Sequence, residues 1–152
     1  MGASPAFDLS RMALGSLRLG DQMEAARFLG RPDSFRWTSD AYCELLYARA
    51  GFQLDFEGGR LCYVAFFVGG DTHLPTHPSL SLSQPQIRGG MRLTQRTGRK
   101  ELLRHFGRPV SEDSDSDETI LYYVRGGVTM EFELDGSGHL KRWNLYPSDD
   151  AA

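Results

Sequence analysis

The sequence contains few of the residues from which disulfide frameworks and metal sites are built. Of its 152 residues only two are cysteine, Cys43 and Cys62, and four are histidine. Both cysteines lie in apolar, strand-like segments, so we expect two buried thiols rather than a disulfide. Cytoplasmic localisation is therefore predicted. It is also favoured because residues 1–21 lack the basic start and continuous apolar region of a secretory signal.

Long apolar runs and a strong charge of one sign are missing as well. No stretch of 18 apolar residues occurs, so we expect no membrane partner. The formal net charge is only −3, so the overall field does not favour a nucleic-acid partner. With 40% hydrophobic residues, the composition is that of an ordinary globular protein.

What the sequence does contain is an internal similarity. The segment "FLGRPD" at 28–33 matches "HFGRPV" at 105–110, and "LYARAGFQLDFE" at 46–57 matches "YYVRGGVTMEFE" at 122–133. The order and spacing of the two pairs agree to within one residue. We therefore predict a single domain over residues 1–152, made of two repeats, about 17–69 and 91–147. A Gly/Pro/Ser-rich crossover at 70–90 joins them.

Each repeat is predicted to begin with a helix and to continue with three strands. The segments "GDQMEAARFLG" and "TGRKELLRHFG" have helical apolar spacing, and each ends at a glycine (Gly30, Gly107) with proline two residues later. The strands "FQLDF" and "VTMEFEL" alternate apolar and polar residues. We predict an α+β fold, in which two tandem helix-plus-antiparallel-sheet repeats form one continuous antiparallel sheet with helices on one face.

This alternation assigns side chains to the two faces of the sheet. The residues predicted to face the helices are Phe52, Leu54, Phe56, Val128, Met130, Phe132, Trp143 and Leu145. Those predicted to face outward are Gln53, Asp55, Glu57, Thr129, Glu131, Glu133, Arg142, Asn144 and Tyr146. In the preceding strand, a two-residue turn would place Tyr122 outward, whereas an odd-length turn would place Tyr123 outward.

The pattern L-x-L-G, A-x-x-F-L-G-R-P-D and L-x-F-x-G-G-x-L, which begins at Leu17, resembles a known helix-then-sheet unit. The unit occurs in the SmpA/OmlA family of small outer-membrane assembly lipoproteins and in the tandem-repeat β-lactamase inhibitor proteins. The resemblance covers about 17–67 and 91–146, and two copies in one chain are similar to the second group. It implies a protein-binding scaffold without enzyme activity, whose open sheet face grips a partner.

The stretch "SEDSDSDE" at 111–118 is the first candidate binding site. Its D-x-D-x-D spacing is similar to the start of a calcium loop, but Glu118 stands where glycine is required and Val124 stands where the bidentate glutamate belongs. We expect a solvated loop or, alternatively, an acidic patch that recognises a basic partner. The residues of that patch are Glu112, Asp113, Asp115, Asp117 and Glu118.

The outward face of the sheet is the second candidate binding site. It is predicted to display Tyr63, Phe67, Tyr122, Arg142 and Tyr146. Tyrosine and arginine beside acidic residues are typical of protein-binding hot spots.

No arrangement of residues in the sequence indicates a catalytic or metal site. Neither a G-x-S-x-G motif nor a phosphate-binding loop is present. His73 and His77 lie near Asp71, but Pro75 between the two histidines argues against the helical face on which such ligands usually lie. We therefore predict no catalytic residues, no metal and no cofactor.

These observations favour a non-enzymatic binding protein. We expect a cytoplasmic inhibitor of the toxin-immunity kind, which neutralises another protein, such as a toxin with a basic cleft, by covering its active site. It is expected to be a monomer or a weak dimer. Two alternatives stay open at this point: a small-molecule-binding sensor, and an envelope assembly accessory of the SmpA kind.

Overall fold

A computed structural model describes residues 6–68, 86–89 and 91–148. Within them, a small sheet is formed by β1 (Ala6–Asp8), β2 (Ala13–Leu14) and β7 (Gln86–Arg88). A large sheet is formed by β3 (Ser34–Trp37), β4 (Tyr42–Tyr47), β5 (Phe52–Glu57), β6 (Arg60–Phe67), β8 (Ser111–Ser114), β9 (Thr119–Arg125), β10 (Val128–Leu134) and β11 (Leu140–Pro147). The helix α1 spans Arg99–Phe106, and 3₁₀ helices span Met23–Leu29 and Ala48–Ala50.

The large sheet is antiparallel throughout, in the order β3-β4-β5-β6-β11-β10-β9-β8. The chain crosses one half of the sheet from its edge to its centre, then starts again at the opposite edge and returns to the centre. The two halves meet where β6 pairs with β11, with Val64 opposite Leu145 and Phe66 opposite Trp143. The outermost strands of the described sheet are therefore β3 and β8.

The prediction of an α+β fold built from two helix-plus-sheet repeats is wrong. The described residues are mainly β-structure, and the first predicted helix is a seven-residue 3₁₀ helix, Met23–Leu29. Only the second predicted helix is α-helical, and it has eight residues. The repeat boundaries and the single-domain assignment stay predictions.

The two helical segments differ because their beginnings differ. The Glu101 carboxylate accepts a hydrogen bond from the Gly98 amide at 3.0 Å, which caps the first turn of α1. Gln22, before the first segment, makes no side-chain cap, and Asp21 instead accepts from the Arg18 amide at 2.8 Å. The first segment therefore lacks the side-chain cap that stabilises the beginning of α1.

One face of the large sheet, here called the core face, packs against the N-terminal segment and the helices. Trp143 is fully buried and stacks on Phe66, with ring centroids 5.0 Å apart. The Phe7 ring of β1 packs edge to face against both rings, with centroid distances of 5.0 Å to Phe66 and 5.1 Å to Trp143. The prediction that Phe52, Leu54, Phe56, Met130, Phe132, Trp143 and Leu145 are buried is confirmed, while Val128 is half-buried.

The opposite face, here called the polar face, carries the side chains that were predicted to point outward. The strand register places them on this face as predicted, but several of them are buried. Asp55 is 4% exposed and Asn144 is 2% exposed, and Thr129 is buried as well. Part of the polar face is therefore inaccessible to solvent.

Within the described ranges, no helix is long and apolar enough to cross a membrane. Both cysteines are free thiols. Cys43 is buried as predicted, whereas Cys62 is only half-buried.

Candidate protein-binding face

A row of tyrosine and carboxylate side chains crosses the polar face. The strand register places Asp55 opposite Tyr63, and places Glu131 between Tyr122 and Asn144. Together these positions form what we call the Tyr/acid band. Its members, in spatial order across seven of the eight strands of the sheet, are Tyr42, Asp55, Tyr63, Tyr146, Glu131, Tyr122 and Asp113.

In the first half of the sheet the band is centred on Asp55. Its carboxylate accepts hydrogen bonds from the Tyr42 hydroxyl at 2.5 Å and from the Gln53 amide at 2.9 Å. Burial raises the pKa of Asp55, and the two hydrogen bonds oppose that rise. Burial, and then the Asp55 carboxylate, raise the pKa of Tyr42, so its hydroxyl keeps its proton and remains the donor.

In the second half the band is centred on Glu131. Its carboxylate accepts hydrogen bonds from the Tyr146 hydroxyl at 2.5 Å and from the Asn144 amide at 3.2 Å. The same Asn144 nitrogen also donates to Glu133, so two carboxylates converge on one amide. Burial and the hydrogen bond to Glu131 raise the pKa of Tyr146, which again keeps the hydroxyl as a donor.

Aromatic contacts join the two halves of the band. Tyr63 stacks on Tyr146 across the β6–β11 junction, with ring centroids 6.4 Å apart and planes inclined by 25°. Burial is the main reason that the pKa of Tyr63 is raised. At the far end, the Tyr122 hydroxyl donates to Asp113 at 3.3 Å. The band thus runs without a gap from β4 to the edge strand β8.

The band has an acidic character that its own contacts do not remove. Asp55 and Glu131 each receive hydrogen bonds from one hydroxyl and one amide, which are neutral donors. Such donors satisfy the oxygen atoms but leave the negative charge in place. Arg142 lies across from Glu133 in the register, and its guanidinium lies 5.8 Å from the centre of the Phe67 ring. Asp55, Glu131 and Asp113 are the three carboxylates among the seven residues of the band.

The stretch 111–118 was predicted to be a loop, and that prediction is wrong for its first half. Residues Ser111–Ser114 form the edge strand β8, paired with β9. Alternation along β8 separates its acids: Asp113 joins the Tyr/acid band, whereas Glu112 lies on the other face and binds Arg99 of α1 at 2.9 Å. The Arg99 guanidinium lowers the pKa of Glu112.

Two of the remaining acids of this stretch, Asp115 and Glu118, make side-chain contacts within the chain. The Asp115 carboxylate accepts from the amides of Asp117 and Glu118 at 2.8 and 2.9 Å, and these hydrogen bonds lower its pKa. Glu118 forms an ion pair with Lys141 at 2.9 Å. The stretch therefore does not form one acidic patch that points in a single direction.

Of the ten predicted binding residues, the structure brings four into the band: Tyr63, Asp113, Tyr122 and Tyr146. Arg142 lies beside the band, and Glu112, Asp115, Asp117 and Glu118 lie outside it. Phe67 was predicted to be displayed but is only 6% exposed. The two-residue turn Gly126–Gly127 between Arg125 and Val128 places Tyr122 on the polar face, as one of the two alternatives predicted.

Sequence reasoning did not assign a binding role to Tyr42, Asp55, Glu131 or Asn144. A signal was available, because Asp55 and Glu131 occupy matching positions in "QLDFE" and "TMEFE". Among the described residues, no group of three His, Cys, Asp or Glu side chains is placed to hold a metal ion. Asp71, His73 and His77 lie outside the described residues.

Comparison with known proteins gives a fold but no family. No family model matches the chain, and no curated protein matches its sequence. A solved structure of a DUF4309 family protein, YjgB from Bacillus subtilis, is similar with a TM-score of 0.60 at 10% identity, covering 89% of this chain and 84% of that one. A cysteine-rich secretory protein from Staphylococcus aureus has a TM-score of 0.54 at 9% identity and covers 87% of this chain. The present chain spans only 44% of that second protein.

Proposed function

We propose that this chain is a non-enzymatic protein-binding module and that the Tyr/acid band is its binding surface. The partner is a protein that presents lysine or arginine side chains, and binding neutralises it by covering its active site, as an immunity-type inhibitor does. The module acts in the cytoplasm, where its two cysteines stay reduced.

The observation that carries this proposal is the pair of carboxylates held by neutral donors. Asp55 is nearly inaccessible and burial raises its pKa, so its negative charge carries an energetic cost that the hydrogen bonds and the nearby Arg36 offset only in part. Glu131 is only half-buried, so a basic side chain from a partner would reach it and add positive charge in a partly desolvated setting, where charge pairs are strongest.

The tyrosines of the band suit the same role. Tyr63, Tyr122 and Tyr146 are half-buried and fixed by a ring contact or by hydrogen bonds to carboxylates. Rigid tyrosines offer a large contact area at a low cost in conformational entropy. The band therefore combines preorganised aromatic area with acidic charge, which is the composition of a binding hot spot.

The proposal is tested by capture of partners from a lysate of the source organism with charge-neutralised variants. The double variant Glu131→Gln/Glu133→Gln keeps the shape of the band and removes one carboxylate of the band and a neighbouring one that shares the Asn144 amide. The control Asp40→Asn/Asp117→Asn removes two exposed charges outside the band. We expect a partner that wild type and control retain and that the band variant loses, with retention falling as salt is raised.

Equal capture of the same partner by all three proteins would show that the band is not the binding surface. The inhibitory role is tested separately, with the captured partner in purified form. Addition of one equivalent of wild type should abolish the partner's activity, and the band variant should leave it intact. A stable complex with full partner activity would contradict inhibition by occlusion.

A further inference from the structure

The edge strand β3 displays two large aromatic side chains that the described residues leave about half exposed. Phe35 is 48% exposed and Trp37 is 55% exposed. Both lie on the core side of the sheet, opposite Leu45 and Cys43 of β4, and their rings meet edge to face at 5.8 Å. They therefore extend the apolar core face beyond the part that the other described residues cover.

A groove of about 330 Å³ lies beside Phe35. It runs between the 3₁₀ helix Met23–Leu29 and β3, and it is lined by Met23, Ala26, Pro32, Phe35, Leu45 and Tyr47, with Glu24 and Arg27 also at its wall. Its floor is apolar and buried at Leu45 and Tyr47.

The other half of the molecule has a counterpart at the same place, but with different chemistry. There the groove lies between α1 and β8, and Glu112 occupies the position that Phe35 has in the first half. The ion pair between Glu112 and Arg99 bridges strand and helix across it. Among the described residues, the groove of the first half is therefore the more apolar of the two.

The backbone and the charge of β3 define what fits there. The Thr38 amide donates a hydrogen bond to the Tyr42 carbonyl of β4. Because every second residue of an antiparallel strand pairs with its neighbour, the N–H and C=O groups of Phe35 and Trp37 point to the outer edge, where no described strand pairs with them. Between them, Arg36 points to the polar face. It binds Glu44 through Nε and Nη2, and its side chain remains 44% exposed.

We propose that β3 and its groove bind an extended peptide segment of a partner protein by strand addition. The segment has an acidic residue flanked on both sides by apolar residues. The acidic residue lies opposite Arg36, and the flanking side chains enter the apolar side against Phe35 and Trp37. This site is distinct from the Tyr/acid band and prefers the opposite charge.

The test uses two synthetic peptides, acetyl-Gly-Thr-Ile-Glu-Val-Thr-Gly-amide and the same peptide with lysine in place of glutamate. Trp37 is a direct reporter, because the only other tryptophan, Trp143, is fully buried. We expect the glutamate peptide to change the tryptophan emission saturably, and the lysine peptide to bind about threefold or more weakly. The amides of Phe35 and Trp37 should become protected from hydrogen exchange in the complex.

Phe35→Glu is the matched variant, since it installs the residue found at the equivalent place in the second half. Phe35 is exposed, so the variant should keep the thermal midpoint of the wild type while its affinity for the glutamate peptide falls about tenfold or more. Three results would overturn the proposal: unchanged affinity in the folded variant, protection of amides elsewhere, or no saturation at millimolar peptide. Self-association of the wild type that Phe35→Glu abolishes would instead assign β3 to a second copy of the chain.

Discussion

Asp55 and Glu131 hold equivalent positions in the central strands of the two halves, and each accepts one hydrogen bond from a tyrosine hydroxyl at 2.5 Å and another from a side-chain amide. The donors, however, are not equivalent. Asp55 uses Tyr42 of the preceding strand and Gln53 of its own strand, whereas Glu131 uses two residues of the following strand. The same carboxylate environment is thus built twice from different residues, which favours a role for the carboxylates themselves.

The first prediction concerns Asp55→Asn. The pKa of Asp55 is raised above its usual value of 3.8, so the folded state holds this proton more tightly than the unfolded chain does. The free energy of unfolding of the wild type should therefore decrease as the pH rises from about 4 through the raised pKa. The asparagine variant lacks this decrease and should be the more stable protein at pH 7, as measured by urea unfolding across this range.

The matched control is Glu57→Gln on the same strand, because Glu57 is exposed. Its free energy of unfolding at pH 7 should stay close to that of the wild type, as is usual for an exposed side chain. A wild type that is more stable than Asp55→Asn at pH 7 would show that the hydrogen bonds from Tyr42 and Gln53 outweigh the burial of the charge. The Asp55 carboxylate would then serve the stability of the fold, and its burial would not support a role in binding.

Strand register was predictable where one face of a strand is buried. The alternation in "FQLDF" and "VTMEFEL" assigned the correct side to Phe52, Phe56 and Phe132, because a shift by one residue would expose the apolar set. The burial of Asp55 was not predictable in this way. Local alternation says which face a residue occupies, but not how accessible that face is in the folded chain.

The edge strand β8 was missed for a related reason. The segment "SEDS" has neither apolar alternation nor strand-forming residues, and it becomes a strand because it pairs with β9, with Ser111 opposite Tyr122. That pairing brings Asp113 to Tyr122 and Glu112 to Arg99. A stretch that looked like one acidic patch in the sequence is therefore divided between two faces by the pleat of the strand.

A second prediction concerns the tyrosines that fix the ends of the helical segments. The Tyr123 hydroxyl donates to the Gly107 carbonyl at 2.9 Å, and the Tyr47 hydroxyl donates to the Gly30 carbonyl at 3.3 Å. Tyr123→Phe should lower the free energy of unfolding by about 1 kcal/mol, and Tyr47→Phe by less, because its hydrogen bond is longer. Equal losses in urea unfolding, or a larger loss for Tyr47→Phe, would contradict this order.

A third prediction concerns the ion pair between Arg99 and Glu112. Because Arg99 and Glu112 are both accessible to solvent, the coupling between them should be small and screened by salt. A double-mutant cycle with Arg99→Gln and Glu112→Gln should give a favourable coupling at low ionic strength that disappears near 1 M salt, where the screening length is about 3 Å. Coupling that persists at high salt would instead indicate that packing against α1 is the main contribution.

The last prediction concerns Gly89, at the end of β7. Gly89 has φ of +79°, and a Cβ atom there would lie 2.2 Å from Asp8 Oδ1 and 2.9 Å from the Ser10 amide nitrogen. Gly20 also has a positive φ, of +91°, but a Cβ atom there meets nothing within 4 Å. Gly20→Ala should therefore cost only the backbone strain of about 1 kcal/mol. Gly89→Ala should cost clearly more, because it also displaces the turn at Asp8 that adjoins β1.

Thermal unfolding of both variants measures the difference. Equal losses would mean that the Asp8–Ser10 turn moves aside without cost and does little to hold β1 against β7.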